Sequence, residues 1–526
     1  MKGSNHEGRG NTAISRVIER FPHLERRLGG MPYVGIEEDA REFSSVLVGV
    51  KDGFEILAEV LADWQPGDYN FTNGNPLPVM GFKPCINAMK ECLDSTALTR
   101  YPYSEGDDTL RLKVLEYVES LGIKNDSPYE YDDIRESGLS INNLTFTTST
   151  SEGFRNVIRM IANHDDVILT TGPNYGLFSL RAEWNRSTLR VIETYEADDW
   201  LVNPKILEAK IIEINEELAK KANGEKNKRV PKVVGFVNTN PNNPLGTVMD
   251  YSKIELAKEI VRVCKKHGVF IIDDLIYQDI VFDEANKPLP LATIDGAFSN
   301  VITLMGLSKS YGFAGLRAGI VVADEVIVRQ MINKIFRYSD ATSHLSAVAL
   351  AAAFNDSKER HEAYEEYFAD LRKMYTDRLD LINGLINGIS TIKSEEVRTI
   401  ALSCIDNLKI RSSEKKELTR GIEGIKIAVW PKAGYFVVLD LNVLKGTKYY
   451  SEKSGEYVVI DTEEKLLRYF YEKYKIRYLP GISIIWPNRN DFVARFTFAK
   501  SFEELVEAFY VFKCGVDNLL ERGRDL

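Results

Sequence analysis

Three polar segments carry side chains able to do chemistry, and each adjoins a short apolar run. The first, Gly-Leu-Ser-Lys-Ser-Tyr-Gly-Phe-Ala-Gly-Leu-Arg-Ala-Gly at 306–319, directly follows Val301–Leu304. It sets Lys309 beside Ser308, with Arg317 eight residues further on. A desolvated lysine near cationic groups is a nucleophile or a proton carrier; an exposed loop is the plain alternative. The second, Asn-Thr-Asn-Pro-Asn-Asn-Pro-Leu-Gly-Thr at 238–247, repeats Asn-Pro, which is turn chemistry that needs no function. The third, Ile-Ile-Asp-Asp-Leu-Ile-Tyr at 271–277, ends a strand-like run on two acids. An unpaired buried carboxylate there is costly. A helix N-cap would explain one acid but not why Tyr277 follows Asp274 by three.

The elements that must hold these segments are legible as alternation. Between Leu144 and Val322, short β-branched runs (Leu144–Phe146, Asp166–Thr170, Lys232–Val237, Val269–Ile272, Val301–Leu304 and Ala318–Val322) alternate with amphipathic stretches. Several runs are apolar throughout, as strands buried on both faces of a mostly parallel sheet must be. Leu256, Ile260, Val263 and Cys264 keep a helical stripe that Gly268 stops. The reading is an α/β layered domain. After Ala351 long charged helices dominate, followed by candidate strands at Tyr435–Leu441 and Val493–Phe498, which predict a smaller α+β domain. A helix is expected from Phe54 to Ala62. The charge-rich stretches 220–229 and 394–424 and the polar, tyrosine-rich 443–457 read as surface insertions.

The composition excludes several function classes. The chain has 526 residues, 67 Lys+Arg against 77 Asp+Glu, and a formal net charge of −10. That balance argues against nucleic acid or an anionic membrane as the main partner. No window reaches the 18 apolar residues of a membrane span, and the first ten residues lack the apolar core of an export signal. The five cysteines lie far apart, without a C-x-x-C, and fit neither a disulfide framework nor a metal site. The expectation is a cytoplasmic globular protein.

Taken together and in order, the motifs resemble the fold-type I pyridoxal 5'-phosphate (PLP) enzymes of the aminotransferase class I/II family, over roughly residues 70–515. Asn-Pro-Asn-Asn-Pro-Leu-Gly-Thr and the Lys309 segment are similar to those of 1-aminocyclopropane-1-carboxylate (ACC) synthases as well as aminotransferases. The resemblance implies an α/β large domain with a mostly parallel sheet sandwiched by helices, at 69–345, and a smaller α+β domain at 346–526. Residues 1–68 would be an N-terminal extension and part of the small domain. It implies PLP as cofactor, joined to Lys309 as a Schiff base, with Asp274 on the pyridine nitrogen. Tyr277 and Asn243 would meet the ring's phenolic oxygen, and Tyr175, in Gly-Pro-Asn-Tyr-Gly, would stack on the ring. Ser149, Thr150 and Ser151, in the turn 148–153, would hold the phosphate with Arg317. Tyr101 would reach the phosphate of a neighbouring subunit, which implies a homodimer. Arg495, in Val-Ala-Arg-Phe-Thr-Phe-Ala, would clamp the substrate α-carboxylate, and Asn243 would also face the substrate. A phosphate dianion wants helix N-terminal N–H groups, hydroxyls and a guanidinium; a planar carboxylate wants arginine rather than lysine.

The sequence also departs from the family pattern. Gly306 stands where a serine is common three residues before the lysine, leaving the phosphate one hydroxyl short; Ser308 and the Ser/Thr turn are expected to compensate. Ser149-Thr150 replaces small glycine-like residues. Gly74, in Gly74-Asn75-Pro76, occupies the loop that meets the substrate carboxylate with backbone in aminotransferases, near the point where ACC synthases carry a glutamate. The expected activity is therefore ping-pong transfer of an α-amino group to a 2-oxo acid. The alternative is a lyase or cyclase of the ACC synthase type, or a decarboxylase, using the same lysine.

Overall fold

The computed structural model describes residues 67–128, 134–222, 229–452 and 454–522, all within one compact unit. The expected helix at 54–62, nearly all of the N-terminal extension and most of the 220–229 insertion lie outside the described residues.

A seven-stranded sheet organises the fold. Its strands are β1 (Leu144–Thr147), β2 (Val167–Gly172), β3 (Thr188–Glu193), β4 (Val233–Thr239), β5 (Phe270–Asp274), β6 (Val301–Gly306) and β7 (Gly319–Val322). Their spatial order is β1-β7-β6-β5-β4-β2-β3. All neighbours are parallel except β7, which runs antiparallel to both β1 and β6. β1, β2, β4, β6 and β7 are buried at every residue, which is why none of them carries a charged side chain. β3 has no counterpart among the expected strands. Among the described residues it is the sheet edge and pairs only with β2, and it carries partly exposed Arg190, so it lacks the apolar run of its neighbours.

The second sheet is antiparallel, in the order β10-β11-β9-β8, from β8 (Lys426–Val429), β9 (Phe436–Asp440), β10 (Leu479–Pro480) and β11 (Val493–Thr497). Behind β11, Phe496 stacks on Tyr478 with centroids 5.4 Å apart and packs against Phe71 at 4.8 Å. Each such buried ring contributes about 1.5–3 kcal/mol. Because strand neighbours point to opposite faces, anchoring Phe496 on this side turns Arg495 to the other. Tyr69–Asn70 pairs in parallel with Ile476–Arg477, and the buried Arg477 guanidinium meets the Asp68 carboxylate. The Phe71 carbonyl accepts from the Thr497 amide of β11 at 3.2 Å, which ties the segment leading to Gly74 to the second sheet.

The stretch 394–424 forms two helices, Glu395–Asn407 and Ser412–Leu418. Val397, Ala401, Cys404 and Ile405 are buried in the continuous core, at spacings that put them on one helical face. The stretch 443–457 contributes to a hairpin, Lys448–Ser451 with Glu456–Val459. No helix among the described residues is long and apolar enough to cross a membrane.

Candidate active site

The carboxyl ends of β1, β2, β4, β5 and β6 share one edge of the large sheet, and the antiparallel β7 begins there. In open α/β sheets that edge is where ligands bind. A cavity of about 730 Å³ opens there, lined by Gly74, Ser149, Thr150, Ser151, Tyr175, Asn243, Asp274, Tyr277, Ser308, Lys309, Arg317 and Arg495. Every candidate residue named from the sequence therefore lines it, except Tyr101. Tyr101 is 92% exposed on the surface of this chain.

β6 delivers the lysine. Tyr311, fully buried against Phe82, Phe354 and Phe368, pins the turn behind it. Lys309 Nζ donates a 2.6 Å hydrogen bond to the Gly74 carbonyl, which also accepts from Tyr435 Oη at 2.6 Å. Burial, helped by the Arg495 and Arg317 charges, pulls the amine down to about 8, against a weaker opposing pull from Asp274. That brings the neutral, nucleophilic form within reach of physiological pH.

β5 separates the two acids by strand alternation. Asp273 accepts from Asn238 Nδ2 at 2.7 Å and from the Leu291 amide at 2.8 Å, so its part is structural. Asp274 lines the cavity and, among the described residues, its carboxylate accepts only a long bond, 3.3 Å, from the Ile276 amide. Burial pushes Asp274 up to about 6, against the Ile276 amide and the Arg181 and Lys309 charges. A buried acid so thinly solvated is a site waiting for a cation. Burial likewise pushes the Tyr277 hydroxyl well up, so it is a phenol that donates a hydrogen bond.

The asparagine-rich segment divides its labour. Asn240 bonds reciprocally with the Met249 backbone at 2.9 and 3.0 Å, and Asn242 Nδ2 donates to the Pro173 carbonyl at 3.1 Å. These two make the turn. Asn243 Oδ1 accepts from Arg495 Nη1 at 3.2 Å, leaving its amide NH₂ as the donor at the cavity. Arg495, buried, also donates from Nη2 to the Thr72 carbonyl at 2.5 Å and lies 4.1 Å from the Phe436 ring centroid. Burial pulls it down to about 10, so it is a cation throughout the neutral range.

At the end of β1, Ser149 caps the helix Thr150–Ile161 with φ 101° and ψ 157°. That region is essentially reserved for glycine, and a serine there stores strain. Gly319 of β7 makes room for the turn: a Cβ at 319 would lie 2.6 Å from the Ser149 carbonyl carbon and the Thr150 nitrogen. Sequence reasoning missed other polar members of the cavity, namely Thr72, Asn75, Asn174, Arg181, Thr239 and Ser483. Arg181 donates from Nη2 to Ser151 Oγ at 3.1 Å, an interaction that no motif announces.

A lysine at the sheet edge, a buried acid, a helix N-terminus with hydroxyls and a buried arginine define a fold-type I PLP enzyme. The sequence profile of aminotransferase class I and II matches residues 61–397, and the chain belongs to that family. The family's cofactor is pyridoxal 5'-phosphate. The chain is 30% identical to aromatic-amino-acid aminotransferase 2 of Thermococcus litoralis over 208 residues, 39% of this chain and 50% of that one. It is 24% identical to LL-diaminopimelate aminotransferase of Nitratidesulfovibrio vulgaris (strain Miyazaki F) over 312 residues, 58% and 68% of the two chains. The matched stretch thus spans only about half the length of the first relative. Among solved structures, aspartate aminotransferase from Rhizobium meliloti superposes with a TM-score of 0.65 at 17% identity, covering 89% of this chain and 96% of that one. The Thermus thermophilus aspartate aminotransferase with maleate gives 0.63 at 15%, covering 88% and 96%. At such identity these structures show the shared fold.

The residues present fit the cofactor. Asp274 is an ill-solvated acid suited to a protonated pyridine nitrogen. Thr239 Oγ1, Ser483 Oγ and Arg495 Nε are buried polar atoms of the cavity lining that have no hydrogen-bond partner among the described residues. Among the described residues no group of histidine, cysteine or acidic side chains could hold a metal ion.

Proposed function

We propose that this chain is an aminotransferase that moves the amino group of an α-amino acid to a 2-oxo acid. The observation that carries the reading is one cavity holding the 2.6 Å Lys309 contact to Gly74 together with Asp274 and the buried Arg495. When bound, pyridoxal 5'-phosphate supplies an electrophilic carbonyl and a pyridine ring that accepts electrons. Lys309 Nζ, largely deprotonated above about pH 8, would be the amine that holds the cofactor and the base that carries the substrate Cα proton. Asp274 would keep the pyridine nitrogen protonated. Tyr277 and Asn243 would donate to the phenolic oxygen, and Tyr175 would cover the ring. Ser149, Thr150, Ser151, Ser308 and Arg317 would hold the phosphate. Arg495 takes the α-carboxylate in a bidentate fork and so sets Cα towards Lys309.

Position 74 bears on reaction type. A Cβ there would lie 3.2 Å from Lys309 Nζ, and glycine keeps any side chain away from the amine. The glutamate that ACC synthases carry near this point is therefore missing, which favours transamination over cyclisation. A homodimer is part of the same reading. Exposed Tyr101 and Tyr103 lie in the segment that Ser104 Oγ ties to the Asp340 carbonyl at 2.7 Å, beside exposed Phe336 and Tyr338. The five unpaired cysteines suit a reducing, cytoplasmic setting. Holoprotein given one amino acid and no acceptor should release one equivalent of 2-oxo acid per site and stop. Continued turnover with carbon dioxide, or with a sulfur leaving group from S-adenosylmethionine, would refute transamination.

A further inference from the structure

Arg181 lines the cavity but has no part in the amino-group transfer proposed for it. It sits on the helix Leu177–Trp184, where Nη1 donates to the Leu177 carbonyl at 3.3 Å and Nη2 to Ser151 Oγ at 3.1 Å. Its guanidinium carbon lies 5.6 Å from the Tyr175 ring centroid. Among the described residues no carboxylate lies within ion-pair distance of it, and the Asp274 carboxylate feels its charge only from further off. The acid in the adjoining helix turn, Glu152, accepts from the Thr148 amide at 2.6 Å and lies 3.7 Å from Arg155 instead. Ser151 is in the first turn of the helix Thr150–Ile161. A cation set there meets the positive end of the helix dipole, an arrangement that is unfavourable unless an anion lies between them. Arginine at this spot therefore makes physical sense with an anion bound.

The second observation is at position 306. A Cβ on Gly306 would lie 2.8 Å from the Ala318 carbonyl oxygen, 3.1 Å from Thr150 Cγ2 and 3.2 Å from Ile276 Cδ1. The backbone contact cannot move aside, so no hydroxyl side chain fits, and the donor missing from the phosphate turn has to come from elsewhere. A phosphate monoester carries nearly two negative charges, and Arg317 alone answers one of them.

We propose that Arg181 is a second guanidinium ligand of the cofactor's phosphate, held by Ser151 and substituting for the hydroxyl that Gly306 excludes. This rests on the cavity being the PLP site. The test compares PLP with pyridoxal, which has the same ring and aldehyde but no phosphate. Dissociation constants for both are measured by spectrophotometric titration of the cofactor-free protein. Arg181→Met should raise the PLP constant by about 10- to 100-fold, the range of a charged hydrogen bond, and leave pyridoxal within about twofold. Arg181→Lys, which keeps the charge but loses the fork, should lower the preference for PLP by a smaller factor, and decides the matter if the Met variant does not fold. An unchanged preference in Arg181→Lys, or equal losses for both ligands in Arg181→Met, would overturn the proposal. So would unaltered PLP binding with a raised KM for acidic amino acids, which would put Arg181 on the substrate. Failure of the underlying reading looks different: Lys309→Ala would then leave the absorption of protein mixed with PLP unchanged.

Discussion

The Lys309 amine and the Gly74 carbonyl, 235 residues apart, meet at 2.6 Å. The contact joins the end of β6 to the chain segment whose Phe71 and Thr72 carbonyls accept from the Thr497 amide and Arg495 of β11, so the lysine is held from both sheets at once. A neutral carbonyl orients the amine without holding its proton as a carboxylate would, which is consistent with the lowered affinity of Lys309 for that proton.

That lowered affinity predicts the pH dependence of cofactor capture. Only the neutral amine attacks a carbonyl, and burial with Arg495 and Arg317 holds Lys309 near 8 rather than 10.5. The rate at which cofactor-free protein captures PLP should rise as pH increases through about 8 and level off above it. Stopped-flow absorbance measures this; a midpoint near 10 would mean that the amine is solvated.

Asp274→Ala should retain some cofactor, because the phosphate contacts and Lys309 remain. Turnover should fall by about 10²–10³-fold, the usual loss when one preorganised electrostatic partner is removed. Cofactor content by absorbance and kcat from the same preparation separate the two effects. Near-normal kcat would remove Asp274 from the electron-sink role.

Arg495→Lys keeps a positive charge but cannot form a planar fork or bond Asn243 and Thr72 as arginine does. Its kcat/KM should drop by about 10- to 100-fold, mostly through KM, given about 1.5–3 kcal/mol for a charged hydrogen bond. PLP binding should be little changed. Steady-state kinetics alongside a PLP titration would expose the opposite pattern.

Ser149→Gly should stabilise the cofactor-free protein. Holding serine at φ 101°, ψ 157° costs about 1–3 kcal/mol, whereas glycine's extra freedom in the unfolded chain costs about 0.5–1 kcal/mol. Relief of the strain outweighs that loss, so the thermal unfolding midpoint should rise. PLP should meanwhile bind more weakly for want of the hydroxyl. A lowered midpoint would contradict the strain at Ser149.

These residues also show what the sequence could reveal. The strands bearing Asp274 and Lys309 are buried on both faces, so their apolar runs announce them and the polar residues at their ends stand out. β3 was hidden because an edge strand needs no continuous apolar run. The helix Glu395–Asn407 was masked by its charge content, although Val397, Ala401, Cys404 and Ile405 keep helical spacing. Arg181 was illegible for another reason: its placement depends on the fold bringing two helices together at Ser151, and no local pattern encodes that. Tyr101 remains exposed on a single chain, where a partner subunit would decide its role.

Transfer of the amino group itself is the most direct test. The holoprotein would be given an ¹⁵N-labelled α-amino acid and an unlabelled 2-oxo acid, and the products followed by NMR. Transamination requires that label lost from the donor appear, one for one, in the amino acid made from the added oxo acid. Label released as ammonia, or retained on a decarboxylated or cyclised product, would contradict it.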